Sequence, residues 1–305
     1  MKTTANIKKT ISFTAIFIVL YVVIGYLLIL GYQHKGFLLI SDLPIEKPGI
    51  HKIAFKNFNR QAKYDLIFLG SSHCYRCFDP RIFNDYGLKA YNLGSSSQSP
   101  LNSYSIIKKL IPHTKHIILE VYPVTINTSG KESYLDLYKD IADYKMLLDM
   151  AWNLNDISCF NLLFLKPMLD YSNRNYIIAQ DNFYDGYVET DMPRRGNVKY
   201  KTYVIQPEIA DKQFRYLNMI IKLCKKNNIR LDLVYAPVPR ELVIKNEDYV
   251  INNISKIAMA GDINFYNMGR NHELDSKEHF FDDDHLNQKG VTIFNTLLIR
   301  QILNL

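Results

Sequence analysis

Short, almost wholly apolar runs that alternate with amphipathic helical patterns predict a doubly wound α/β fold, in which helices cover both faces of a parallel sheet, preceded by one transmembrane helix. Three observations carry that reading. Residues 65–69 (DLIFL) and 115–122 (KHIILEVY) are apolar on successive positions, as strands buried on both faces are. Residues 207–227 and the stretch after Asn287, with Val291, Phe294, Leu297, Leu298 and Ile302, place apolar residues at helical spacing. Residues 10–32 contain no charged side chain.

That uncharged segment, at ~1.5 Å rise per residue, is long enough to cross a hydrocarbon core of ~30 Å. Lys2, Lys8 and Lys9 precede it, while only His34 and Lys35 follow closely. The positive-inside rule therefore puts residues 1–9 in the cytoplasm and the rest of the chain outside. No small-residue cleavage site follows in GYQHKGF, so the expectation is an uncleaved signal anchor over residues 10–32. Residues 33–61 read as a connector that packs on the domain, and residues 62–305 as the α/β domain.

Within the domain, residues 65–69 form the first expected strand. Asp79 before Pro80 is a helix start, because Asp caps free amides and Pro suits the first helical position, so a helix is expected over 80–86. A strand over 88–93, a helix over 101–110 and the strand over 115–122 follow. The alternation breaks over about 125–206, rich in Asp, Asn and Tyr with a helix near 138–154, which reads as an insertion over one end of the sheet. It resumes with the helix over 207–227, a strand over 230–235, a helix near 249–260, a strand over 263–267 and the last helix. Ligand sites of such sheets lie at the carboxyl ends of the strands, where Ser72 and the segment after Tyr122 fall.

Of 305 residues, 48% are hydrophobic and 22% charged, which excludes a disordered or fibrous chain. The formal net charge is +7, but the Lys and Arg residues are scattered in short pairs such as Lys108-Lys109, Arg194-Arg195 and Lys225-Lys226. With no basic stripe or recognisable motif, a nucleic-acid partner is not expected. Four cysteines in a chain this long make no disulfide framework. Cys74 and Cys77 form a C-x-x-C after a strand, where a thioredoxin-like redox pair would sit. Redox chemistry is therefore the second reading, and no ligand-spaced cluster suggests zinc.

The chemistry rests on two distant fragments. DLIFLGSSHCYRC places Ser72 just past a strand, and FFDDDHLNQKG supplies Asp282 three residues before His285. A serine hydroxyl needs a base within hydrogen-bond reach, and the base needs an acid to fix its tautomer. Asp282 and His285 can supply both from one turn. Asp283 or Asp284 would serve as the acid only with a different loop geometry, and His279 is a weaker rival for the base. FFDDDH can also be read as a solvated acidic loop capping the last helix, with Asn287 as the cap. Gly70 and Gly94 suit tight turns or close packing at strand ends. His73 could line the site, though a local turn hydrogen bond suits it better, and Arg76 could bind an anionic group of the substrate, though an exposed ion pair is the commoner fate of such an arginine.

The order G-S-S-H after the first strand, N-L-G-S-S-S-Q-S after the second and D-x-x-H before the last helix resembles the SGNH, or GDSL-type, hydrolase superfamily, whose sheet is flavodoxin-like. The resemblance spans residues 65 to 305 apart from the insertion. It implies Ser72 as nucleophile, His285 as base and Asp282 as acid, with Ser71 where aspartate is usual. It implies oxyanion donors at the amides of Ser72 and Ser97, the latter five residues after Asn92, with Gly94 as a further candidate. The third block, which should read G-x-N-D, is here Glu120-Val121-Tyr122-Pro123-Val124 and lacks its Asn. Asn127 or the Tyr122 hydroxyl could replace it, or the hole has two donors.

The resemblance further implies a membrane-anchored branch similar to polysaccharide O-acetylation and D-alanine transfer proteins. The expectation is an extracytoplasmic serine esterase or O-acyltransferase in a bacterial inner membrane, its catalytic domain facing the periplasm or cell exterior. It would act on an acyl group, acetyl above all, of an envelope polysaccharide, without a cofactor. Its partners would be the acylated polysaccharide or acyl donor and a membrane-bound acyltransferase. A catalytically silent polysaccharide-binding protein on the same fold is a third reading.

Overall fold

The computed structural model describes residues 2–33, 54–55, 57–58, 61–111, 113–141, 143–172, 183–190, 196 and 198–304, with the side chains of α1 described over 6–27. Most of the expected connector, 33–61, and the pair Arg194-Arg195 lie outside the described residues. The chain divides into two units.

One unit comprises residues 1–47 and 164–176. Its main element is α1 (Lys2–Gln33), within which Asn6–Leu27 is long and apolar enough to cross a membrane, with a mean hydropathy of 2.2 and side chains almost all exposed. Such a helix can be an anchor or a signal sequence.

The second unit, 48–163 and 177–305, holds the sheet. Its strands are β1 (Leu66–Leu69), β2 (Ala90–Asn92), β3 (His116–Glu120), β7 (Arg230–Tyr235) and β9 (Asn264–Asn267), ordered β2-β1-β3-β7-β9 and all parallel. The register places Phe68 beside Asn92 and Ile118, and Leu119 beside Leu233. This is the doubly wound order with its switch point between β1 and β3, where ligands bind at the carboxyl ends. Every residue of β1 is buried, as the run LIFL requires between two helical layers.

The first strand feeds two short helices, α2 (Ser72–Cys77) and α3 (Pro80–Asp85), and the second feeds α4 (Pro100–Leu110). Asp79 caps α3 through the Arg81 amide, as its sequence position predicts. On one face, Leu66, Phe68, Ile118 and Val234 pack with Phe78, Phe83 and the Val291, Phe294 and Leu298 stripe of the last helix, α11 (Gln288–Leu303). On the other, α9 (Pro207–Lys226) packs on α4 and against β7, and α10 (Glu247–Ala260) packs against β9.

The insertion holds more structure than its composition signals. The helix α5 (Pro123–Ile126) leaves β3, and the single helix expected near 138–154 is two, α6 (Lys131–Asp140) and α7 (Tyr144–Leu154). Asp143 divides them by accepting from the Met146 amide as the cap of α7. α8 (Ile157–Ser172) follows. The hairpin β4 (Phe183–Tyr184) and β5 (Tyr187–Val188) then docks at the end of β2, where the Asn92 amide donates to the Asp185 carbonyl at 2.8 Å. A small parallel pair, β6 (Thr202–Val204) with β8 (Val243–Lys245), escapes the sequence reading because three residues are too few for a pattern. The described end of the connector does pack on this unit: Phe58 stacks 5.2 Å from Tyr64, and the Tyr91 hydroxyl donates to the Ala54 carbonyl.

Candidate active site

Ser72 is the first residue of α2, directly after β1 and Gly70-Ser71. Ser71 caps that helix, its hydroxyl accepting from the His73 amide at 3.2 Å, so the turn that ends the strand also fixes the Ser72 backbone. The Ser72 amide donates to no described residue.

His285 arrives from the loop before α11. That loop is pinned by the Phe280–Leu286 bridge and by the Phe281 amide donating to the His285 carbonyl at 2.8 Å. His285 Nε2 lies 2.8 Å from Ser72 Oγ. Its Nδ1 lies 3.0 Å from both carboxylate oxygens of Asp282, whose Oδ1 also accepts from the His285 amide at 2.7 Å and the Asp284 amide at 3.1 Å. The acidic run is therefore not a solvated cap. Asn287 does cap α11 through the Gly290 amide, so one loop serves both ends.

A second carboxylate joins this group. Asp284 Oδ1 lies 2.8 Å from the same Nδ1, and the Asp284 carbonyl accepts from His73 Nε2 at 2.9 Å. A carbonyl only accepts, so the His73 proton sits on Nε2, and its buried Nδ1 has no partner. The His73 ring is sandwiched between Tyr122, 3.9 Å away, and His285, 4.9 Å away. Burial pushes His73 down to about 4 against the opposing pull of Asp284, so this ring is neutral and positions the loop. Burial also opposes charge on His285, but its bonds to Asp282 and Asp284 outweigh that and raise it to about 9. Burial resists ionisation of Asp282 too, yet the His285 contact holds it well below the usual carboxylate range.

Glu120, at the end of β3, is a residue that sequence reasoning missed. Its Oε2 accepts from both the amide and the hydroxyl of Ser71, each at 2.8 Å, and its Oε1 has no hydrogen-bond partner among the described residues. Desolvation raises it to about 7 in spite of those bonds. A Cβ on Gly70, at φ +143°, would stand 2.5 Å from Glu120 Cβ, so this glycine lets the carboxyl pass beneath the elbow. One signal was legible: an ionisable residue closing an otherwise apolar strand.

The oxyanion candidates divide. The Gly94 amide donates to Asn92 Oδ1 at 2.9 Å and is lost as a donor. Close packing explains that glycine, since a Cβ there would lie 2.9 Å from Cys74 Cβ. Ser97 adopts a left-handed backbone, φ 47°, with its amide bonded to no described residue. Asn127 is committed elsewhere, donating to the Val204 carbonyl and accepting from the Gln206 amide. The Tyr122 hydroxyl is buried without a partner. Arg76 donates to Thr190 Oγ1 at 3.0 Å and makes no ion pair among the described residues. His279 Nδ1 accepts from the Asp275 amide, which removes it as a rival base.

The redox reading loses its support here. Cys74 and Cys77 are fully buried free thiols, and burial pushes both well above the ordinary thiol range, so neither is a ready nucleophile. Among the described residues, His73, Asp284 and His285, or the carboxylates of Asp282, Asp283 and Asp284, stand close enough to share a metal ion. Both nitrogens of His285 and Nε2 of His73 are already engaged, so an ion would compete with the triad for its atoms.

No protein-family model matches the chain, and no curated protein matches it in sequence. Its fold is similar to that of solved structures. A GDSL-like lipase from Bacteroides thetaiotaomicron is 13% identical over 85% of this chain and 99% of its own, at a TM-score of 0.43. A G-D-S-L family protein from Desulfitobacterium hafniense is 9% identical over 78% and 99%, at 0.42. A family two carbohydrate esterase from Clostridium thermocellum is 8% identical over 80% and 65%, at 0.40. At such identities the chain's own geometry carries the functional argument.

Proposed function

We propose that this chain is a serine esterase or acyltransferase of SGNH type. The observation that carries it is the unbroken path Ser72 Oγ, His285 Nε2, His285 Nδ1, Asp282, with contacts of 2.8 and 3.0 Å. In the neutral ring the proton lies on Nδ1 toward the carboxylates, leaving Nε2 to take the proton of Ser72 as its oxygen attacks an ester carbonyl. The tetrahedral oxyanion would be met by the amides of Ser72 and Ser97, each donor contributing roughly 3 kcal/mol. Collapse expels the alcohol, protonated by the imidazolium, and leaves an acyl-serine. Water or a sugar hydroxyl, deprotonated by the same ring, then accepts the acyl group.

The apolar N-terminal helix and the sequence resemblance support a membrane-anchored enzyme, its domain outside the cytoplasm, acting on an acyl group of an envelope polysaccharide. Acetyl is the acyl group we infer. The deciding experiment is fluorophosphonate labelling of the full chain in detergent, with Ser72→Ala as control. We expect labelling at Ser72 alone. A folded wild-type chain that does not label would refute the hydrolase reading.

A further inference from the structure

Ser97 stands in a backbone state that suits glycine better than serine, with φ at 47°. A residue held that way persists only where its surroundings over-determine it. Of the successive amides at 96, 97 and 98, the outer two are bonded, Ser96 to an Asp136 carboxylate oxygen at 3.1 Å and Gln98 to the Ser95 carbonyl at 3.2 Å. The Ser97 amide between them is bonded to no described residue. Ser96 and Ser97 are also the partly open residues of a run, 90–100, whose other members are all buried.

Two sets of contacts hold this turn. The first comes from the sheet, where the Ser95 amide donates to the Gly70 carbonyl at 3.0 Å. The Gln98 side chain accepts from the Gly70 amide at 3.0 Å and donates to Ser95 Oγ at 2.9 Å. Gly70 leads into the elbow that carries Ser72, so elbow and turn share one buried polar network. The second set comes from the insertion. Ser133 and Asp136, three residues apart on one side of α6, both reach the turn, with Ser133 Oγ 3.0 Å from Ser95 Oγ. Other residues seat α6: Tyr134, Leu137 and Tyr138 are buried, and the two tyrosine hydroxyls donate to the carbonyls of Cys159 and Leu162. Its polar side is left to act on the turn.

We propose that Ser133 and Asp136 are positioning residues, which hold the 95–98 turn so that the Ser97 amide meets the oxyanion formed at Ser72. The proposal rests on the serine-esterase reading and deepens it, because it makes the insertion a working part of the reaction centre. A donor aimed at the oxyanion acts in the transition state and not on the bound ester, so its placement governs turnover more than binding.

The test is hydrolysis of p-nitrophenyl acetate by the full chain in detergent. Asp136→Leu removes the acceptor of the Ser96 amide and should lower kcat by about 10²-fold with KM near that of the wild type, since a misplaced donor costs about as much as a lost one. Asp136→Asn, whose side-chain oxygen also accepts, should restore most of the turnover. Affinity for phenylboronic acid, whose serine adduct carries the negative oxygen, should fall in step with kcat. A folded Asp136→Leu chain with undiminished kcat would overturn the proposal. So would an Asn variant as slow as the Leu variant, which would assign the effect to charge. If Asp136→Leu does not fold, Ser133→Ala carries the test, because it removes one buried oxygen and leaves Ser95 its bond from Gln98. It should lower kcat and boronate affinity together, and unchanged values would overturn the proposal. A wild type that neither hydrolyses the ester nor takes the fluorophosphonate label refutes the esterase reading and this inference with it. An active wild type with unimpaired variants refutes this inference alone.

Discussion

The helix Ser72–Cys77 offers two nucleophile types within one and a half turns and treats them oppositely. Ser72, at its start, meets His285 at 2.8 Å, whereas Cys74 and Cys77 face the core with no exposure at all. A thiol is intrinsically the better nucleophile, yet here it has no base and an environment that disfavours the thiolate. Reactivity at this strand end follows placement and partners. The same backbone elbow that presents the serine drives the cysteines under the sheet.

The sharpest break of that contrast is Ser72→Ala, expected to abolish fluorophosphonate labelling and lower hydrolysis of a simple aryl acetate by about 10⁴-fold or more. Next comes the acid. Asp282→Asn should cost about 10²- to 10⁴-fold, less than a lone triad acid would, because Asp284 remains beside Nδ1. Asp284→Asn should keep most activity at high pH and shift its pH profile. In the wild type the free base of His285 fills in only as pH rises toward about 9, so the rate should climb through neutral pH and level above it. Losing one carboxylate lowers that value, and the rising limb should move to lower pH. If the limb stays in place, Asp284 does not tune the ring.

Stability carries the same sign. His285 sits at about 9 in the fold against 6.5 unperturbed, so its contribution is complete below pH 6.5 and is lost as pH rises through 9. Glu120, raised from 4.5 to about 7, favours the fold in its neutral form, a contribution lost between those values as pH rises. Between about pH 4.5 and 6.5 buried His73, lowered to about 4, opposes Glu120, so thermal melts should decline chiefly from about pH 6.5 toward 9, and Glu120→Gln should leave melts that rise with pH on the acid side. Glu120→Ala should destabilise by about 2–4 kcal/mol, because it opens a cavity and strands two Ser71 donors. The smallest effect belongs to the cysteines. Cys74→Ala with Cys77→Ala should cost about 1–2 kcal/mol of packing each and leave labelling of Ser72 intact. Loss of labelling in a folded double variant would revive the redox reading.

Much of this was legible in the chain. The runs LIFL and HIILE read as buried parallel strands and are so, and D-x-x-H before an amphipathic helix put the proposed base and acid on one loop. Asp284 was legible only as an alternative acid, because three consecutive aspartates carry no sign of which turns inward. Glu120 was not legible, since its partner Ser71 is 49 residues away and meets it only because β1 and β3 are neighbours. Gly94 looked like an oxyanion donor until Asn92 claimed its amide.

The sequence by itself determined the parallel sheet, the apolar N-terminal helix and the candidates Ser72, Asp282 and His285, because hydrophobic period and chemical type are local properties. Only the tertiary structure decided that Asp284 joins Asp282 at one nitrogen, that Glu120 braces the elbow, and that the cysteines are sealed. Each depends on the distance between residues far apart in the chain, and on how much water the fold leaves around them.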